Sequence, residues 1–456
     1  MADTNTAPKA SSCPYAGSKT GQHITQPDGF RYLPSDFRHD GNPNTPPAED
    51  PPLGILSLLA KKNFQGTGFN MIFRPNSGPP PIGTHDFKHP LPPPAPPLGV
   101  NNNVLELNLT TETWTFSDGI GTVPNRGLNR QGDINLNAIQ YVQSVQDVTN
   151  CTTGRADGDA TAIHLENGMF MHVPGTSVNP ALGTTIARGG TIPHGVVINL
   201  QGIQPPPTSD FFMPGPPGIP PISTVPFLDK APFTKQVNAF PSLDATNVDT
   251  ARIPQDLSHF LQHDTITQAI LDDPASVLRE ANTRREIVKT ATVKMSTVNA
   301  ASASDTGTTS DATNPDIKSG GGLASISFLT GQPDAHTGED QNPNALPVRV
   351  DFTLWIETVR HLVPLPEKGK KTRKHEGILF IFDDHYKKED ESEEEECGKK
   401  KRVVEVLVEE MQYSQVVFLQ FGGLVWPHPS VATLRPERWY VGKEGGKQKE
   451  GEEGLE

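Results

Sequence analysis

Three features of the sequence predict a mainly β fold: an antiparallel closed β-barrel of about ten strands with long Pro-rich and charged insertions. First, apolar and polar residues alternate in segment after segment. In Val104–Ser117 (VLELNLTTETWTFS), Leu105, Leu107 and Leu109 mark one face and Trp114 and Phe116 continue it, while VRVDFTLWIE at 348–357 alternates cleanly. Second, these segments are joined by turns and irregular loops, with one helical stretch only. Third, the 456 residues include 45 Pro and 41 Gly and are only 34% hydrophobic, so long segments bury too little apolar surface to offset the entropy of ordering. Closure follows from the strand count, because an open sheet leaves unpaired edges. A barrel of about eight to ten strands has room for one small ligand.

The elements follow in order. Residues 1–52 read as a disordered or strap-like leader, 53–440 as a single barrel domain, and 441–456 as a disordered charged tail. Leu53–Ala60 (LGILSLLA) suits one or two helical turns. Phe64–Arg74 is the first strand, with Gly66 and Gly68 allowing a bulge or close backbone approach. An insertion at 75–101 holds a run of prolines that cannot pair in a sheet. Val104–Ser117 and Ile134–Val148 come next. Thr161–Val173 reads as a hairpin split at Asn167-Gly168, a pair suited to a type I′ turn. Thr184–Gly189 and Val196–Gln201 flank a Pro193-His194-Gly195 turn. The insertion 203–255 is Pro-rich. Asp256–Ala281 has helical spacing at Leu257, Phe260, Leu261, Ile266, Ile270 and Leu271, with Pro274 ending or kinking it. Arg285–Val298, Leu323–Leu329, Pro347–Val359, Gly377–Phe382 and Arg402–Phe421 complete the strands, apart from insertions at 299–322 and 386–402. The last insertion is a block of Lys and Glu that reads as a solvated loop. A final strand, Ser430–Leu434, follows a rigid turn at Trp426-Pro-His-Pro.

Several classes are disfavoured. A net charge of −14 argues against a nucleic-acid partner, because phosphates call for a basic surface. The three cysteines are widely spaced and form no CxxC, which argues against a disulfide framework or structural zinc. The first residues lack an apolar core of the secretory kind, and no run of about 18 apolar residues occurs. A cytoplasmic protein without a membrane span is expected. No phosphate loop, HExxH or GxSxG is present, so no motif compels a reaction.

Some polar residues stand out against the apolar pattern. His164 and Glu166 are two apart on a strand and share a face. They are either a structural hydrogen bond or, facing the lumen, a polar anchor for a ligand. Arg188 pointing inward would need a partner such as Glu166, since an unpaired buried charge is costly; pointing outward it needs none. His194 sits in a turn that is either plain surface or the barrel mouth. His428 lies between two prolines that restrict its backbone, in a rigid turn or in a setting that fixes an imidazole. Trp114, Trp355 and Trp426 are either core packing or flat walls for a ligand.

Taken in order, these pieces carry a resemblance. Phe64-Gln-Gly-Thr-Gly-Phe resembles the opening strand of nitrobindin and the related fatty-acid-binding-protein-like (calycin) barrels, with Phe64 where a Trp is common. His164-Leu-Glu166-Asn-Gly168 resembles their H-x-E-x-G signature, and Trp426-Pro-His428-Pro-Ser-Val-Ala-Thr-Leu-Arg435 their final segment. Pro124–Gly127 and Ile192–Gly195 are similar to turns in larger microbial proteins labelled haem-binding. The resemblance spans about Leu56 to Arg435. It implies a calycin-like barrel with haem at the mouth, His428 on the iron, and Trp426, His194 and Arg188 contributing to the cofactor pocket. Two alternatives stand beside it. One is a haem-free carrier of a small hydrophobic ligand. The other is a barrel enzyme (isomerase, dehydratase or cyclase) acting on an apolar metabolite, with His164 and Glu166 as acid and base.

Overall fold

The computed structural model describes residues 53–74, 104–121, 123–125, 134–175, 184–202, 212–228, 243–246, 256–297, 322–326, 332–333, 340–341, 345–364, 391–396, 399–421 and 424–437. Ten antiparallel strands close into a barrel: β1 (Asn63–Arg74), β2 (Val104–Gly119), β3 (Ile134–Asp147), β4 (Thr161–Val173), β5 (Thr185–Ile192), β6 (Val196–Gly202), β7 (Glu286–Ser296), β8 (Leu346–Pro364), β9 (Lys399–Phe421) and β10 (Leu424–Pro436). Each strand pairs with its neighbours in sequence, and β10 returns to β1 from Phe64↔Pro436 to Asn70↔Ser430. The seam is narrow. β6 meets β7 only at Met295↔Gly202 and Ser296↔Gln201. Beyond it, Gly322–Ser325 pairs with β6 and Phe212–Pro214 pairs with β7, so short inserted strands take up the exposed ladders.

Period-two alternation sends one set of side chains into the lumen. There, Phe64, Trp114, Phe116, Phe170, Phe352 and Leu434 pack the lower half. The 3₁₀-helix Gly54–Leu58, with Ile55, Leu56 and the following Leu59 buried, plugs that end. A second core lies outside the barrel wall. Phe69, Met71, Phe73, Leu105 and Leu107 face outward from β1 and β2 and are covered by the segment between β6 and β7. Both faces of β2 are therefore buried. Its three leucines face the outer layer, while Trp114 and Phe116 face the lumen, so they are not one continuous face.

The outer layer is built from three short helices: α1 (Ser258–Gln262), α2 (Gln268–Asp272) and α3 (Ser276–Asn282). One helical stretch was expected. Thr267 caps α2 by accepting from the Ile270 amide, and Pro274 separates α2 from α3. Leu257, Phe260, Ile266, Leu271 and Leu278 are the buried anchors. Part of the 203–255 insertion belongs to the same layer, since Ile219, Leu243 and Ala245 are buried in it. Arg285 fastens the layer to the wall. It pairs with Glu357 of β8 and, at 2.8 Å, with Glu410 of β9, and all three side chains are buried.

Three further sequence expectations change. The Lys/Glu block at 386–402 is not a loop throughout, since Glu391–Glu396 pairs with the start of β9 from Glu391↔Val404 to Glu396↔Lys399. Asn167-Gly168 is no turn, because β4 runs through it, with Gly168 opposite both Tyr141 and Gly190. The glycine serves close approach instead: a Cβ there would lie 2.0 Å from the Gly189 carbonyl oxygen. Nor is Trp426-Pro-His-Pro a turn. It lies within β10, above the last β1 pairing, where an edge without ladder partners tolerates prolines. Gly377–Phe382 lies outside the described residues, as do the leader and the C-terminal tail, and of the expected strand Leu323–Leu329 the structure places Gly322–Ser325.

Gly168→Ala is expected to lower unfolding stability by about 1–3 kcal/mol, because a methyl group would have to enter a closed backbone contact. Gly189→Ala should cost clearly less, since its Cβ would meet side chains and no backbone, Asn199 Oδ1 at 3.2 Å and Met171 Cε at 4.0 Å. Urea unfolding of the two variants checks the order.

Candidate functional site

A layer of polar side chains crosses the lumen above the packed aromatic half. β4 and β5 supply Glu166 and Arg188, both fully buried. Arg188 Nη2 donates to Glu166 Oε1 at 2.7 Å, Nε donates to the Tyr141 hydroxyl at 2.9 Å, and Nη1 donates to Gln415 Oε1 at 2.9 Å. Tyr141 also donates to Glu166 Oε1. The guanidinium sits in an aromatic box, 4.3 Å from the Phe352 ring centroid and 5.2–5.6 Å from those of Tyr141, Trp114 and Phe170. Backbone geometry makes room for this layer. A Cβ at Gly190 would lie 2.5 Å from Glu166 Oε1 and 2.6 Å from the Tyr141 hydroxyl.

Burial pushes the Glu166 carboxyl up, but the Arg188 charge, with hydrogen bonds from His164 and Tyr141, outweighs it and holds the group at about 2. Glu166 is thus a permanent anion. Its other oxygen, Oε2, lies 3.4 Å from His164 Nε2.

Across the lumen a second carboxylate completes the layer. Glu112 Oε2 accepts from the Tyr413 hydroxyl at 2.6 Å, and Oε1 accepts from Thr110 at 3.1 Å. Gln143 Nε2 donates to the Tyr413 hydroxyl at 3.1 Å. Burial raises the Glu112 carboxyl to about 7, against the lowering effect of the bonds from Tyr413, Thr110 and Gln143. No countercharge matches what Arg188 gives Glu166.

Above this floor the lumen opens into a cavity of about 220 Å³. Its walls are aliphatic, with Val145, Ile163, Val196, Ile198, Val350 and Val417 among them. The floor presents Gln143, Tyr413 and Gln415. On the β1–β10 side, Asn70 donates to Ser430 at 2.5 Å and accepts from Asn108 at 3.2 Å.

The sequence-derived candidates fall in three places. His164, His194 and His428 all line the cavity, and the His164 and His194 rings stand 6.0 Å apart. Burial, then the His164 charge, lowers His194. Glu166 and Arg188 lie beneath the cavity and are committed to one another. Trp426 is not in the lumen. It packs in the outer core against Phe73, with ring centroids 5.0 Å apart, and Trp355 lies there too. His428 is buried, and its Nε2 donates to the Phe73 backbone oxygen at 3.0 Å. Burial lowers its pKa to about 4, only partly offset by that carbonyl, so the imidazole is neutral.

Sequence reasoning missed Glu112, Gln143, Tyr413 and Gln415. A signal existed for Glu112, which shares the parity of Trp114 and Phe116 and so breaks an apolar lumen face with a charge. Among the described residues no helix is long and apolar enough to cross a membrane. No protein-family model matches the chain, and no curated protein or solved structure matches it.

Two outcomes test this floor. Arg188→Leu should cost about 3–5 kcal/mol, because Glu166 would be left buried and uncompensated, and Glu166→Leu in the same chain should recover most of the loss. A chemical-denaturation cycle measures both. Glu112 titrates with the opposite sign. Its folded pKa lies above its unfolded value, so its contribution is complete below about pH 4.5 and is lost as pH rises through about 7. The stability of Glu112→Gln relative to the parent should therefore rise over that interval by on the order of 2 kcal/mol, as read by thermal melts along a pH series.

Proposed function

We propose that the barrel binds a small, mostly apolar molecule of monocyclic or short-chain size in the upper lumen. One observation carries this reading: the lower lumen is filled by aromatic side chains, while the space above the Arg188–Glu166 layer is open and walled by Val and Ile. A cavity of about 220 Å³ exceeds the roughly 150 Å³ that takes up benzene in an engineered apolar cavity. It falls below the range of about 300–1,000 Å³ that encloses drug-sized ligands.

The residues as placed do not fit an enclosed, histidine-ligated haem. Haem exceeds this cavity, and one ring nitrogen of His428, Nε2, is committed to the Phe73 carbonyl. The residues proposed as acid and base are also ill suited. A buried carboxylate held at about 2 beside Arg188 is a weak proton acceptor near neutral pH. His428 stands as a neutral polar wall group of a binding site, with His164 and His194 beside it on the wall.

Calorimetric titration with toluene and p-cresol tests the reading. Saturable binding is expected for the parent and its loss for Val417→Phe, which fills the cavity from the wall. Absence of binding to the parent, or binding untouched by the filled variant, contradicts it. Ferric haem serves as the control ligand, and the parent and His428→Ala should give the same absorption spectrum with it. A Soret band that depends on His428 would restore the haem reading.

A further inference from the structure

We infer that the ligand of this cavity carries a hydrogen-bond-donating group, a hydroxyl or N–H, which docks on Gln143 Oε1. The inference rests on the apolar-ligand reading and adds the chemistry of the polar end.

One acceptor on the cavity floor is left without a donor among the described residues. Gln143 is 2% exposed and lines the cavity, and its Oε1 has no hydrogen-bond partner among the described residues. A buried amide oxygen left unpaired is costly, and because Oε1 is itself closed to solvent, a partner reaches it through a small turn of the Gln143 amide toward the cavity. The neighbouring acceptors are already engaged. Gln415 Oε1 takes Arg188, Asn70 Oδ1 takes Asn108, and both Glu112 oxygens take donors from Thr110 and Tyr413.

Amide orientation is set by the same chain of bonds. The Tyr413 hydroxyl spends its proton on Glu112 Oε2, so the contact between Tyr413 and Gln143 needs a donor from Gln143. Nε2 supplies it, and Oε1 is the end left over. The charged groups around the chain are Glu112 itself and the Arg188–Glu166 pair, with His164 at the wall. With Glu112 ionised, the Tyr413 proton has one destination and the direction of the chain is fixed. A ligand whose apolar body fills the Val and Ile walls would thus lie with its donor pointing down at Gln143. A site that pairs a ligand hydroxyl discriminates strongly against an analogue lacking it, because its own acceptor is then left unpaired.

Three isomers separate the possibilities: p-cresol and benzyl alcohol carry a donor, whereas anisole has nearly the same size and an oxygen but no O–H. Above about pH 7, where Glu112 is ionised, the parent should bind the two donors about tenfold more tightly than anisole. Gln143→Leu should lose that preference while still binding toluene, which shows that its cavity is intact. Equal affinity of the parent for all three isomers overturns the inference, as does a preference that survives in Gln143→Leu. Either result leaves toluene binding, and with it the apolar-ligand reading, standing. If the parent binds none of the four compounds, the apolar-ligand reading itself falls. Should Gln143→Leu not fold, as near-ultraviolet circular dichroism would show, the isomer ranking on the parent alone still decides.

Discussion

An arginine and a glutamate at zero exposure inside an apolar lumen hold each other in place, and the rest of the barrel is arranged around them. Neither is tolerable alone, because desolvating a single charge costs more than a marginal fold can absorb. Together they need β4 and β5 in one register, which sets Phe170 opposite Arg188 and brings Glu166 within 2.7 Å of the guanidinium. They also need an aromatic box to face the guanidinium and a glycine at 190 to leave room. The pair divides the lumen. Beneath it, aromatic rings pack against one another and against the 3₁₀ plug. Above it, the polar surface of the layer does not attract apolar side chains to fill the space, and the cavity remains.

The same device recurs on the outside of the barrel. Arg285 lies between Glu357 and Glu410 where the helical layer returns to the wall, and His361 adds a bond to Glu410 at 2.8 Å. Burial raises Glu357 to about 7, against Arg285, while Glu410, with more cationic neighbours, is lowered. The outer core of leucines and phenylalanines supplies adhesion, and the ion cluster supplies registration. A long insertion between β6 and β7 thereby becomes a second wall for β1, β2, β8, β9 and β10. The division of labour explains why this chain buries both faces of several strands while the sheet across β3–β6 keeps Val142, Leu165, Met169 and Val197 exposed.

Much of the barrel was legible because period-two alternation is a local property. Every one of the ten strands overlaps a segment that alternates or is rich in β-branched residues. What failed was non-local. Asn167-Gly168 has turn chemistry, and only the position of Gly189 across the ladder shows that closeness rather than bending calls for the glycine. The Leu105–Leu109 and Trp114–Phe116 stripes of β2 differ in parity, so their separation is local and readable; only the helical layer that buries the outer stripe is non-local. For the site, His164, Glu166 and Arg188 were visible as polar residues in apolar strands, and inward placement of Arg188 demanded Glu166. Tyr413, Gln143 and Gln415 look ordinary in the sequence. They become a floor only when β3 and β9 face each other across the lumen, a contact between residues 270 apart in the Gln143–Tyr413 pair.

We propose the space above Arg188–Glu166 as a ligand site rather than a packing accident. A crystal structure of the protein soaked with p-cresol tests it most directly. One ring is expected between Val350 and Ile198, with its oxygen within hydrogen-bonding distance of Gln143 Oε1. An upper lumen that holds only water, or one collapsed by movement of its Val and Ile walls, would contradict it.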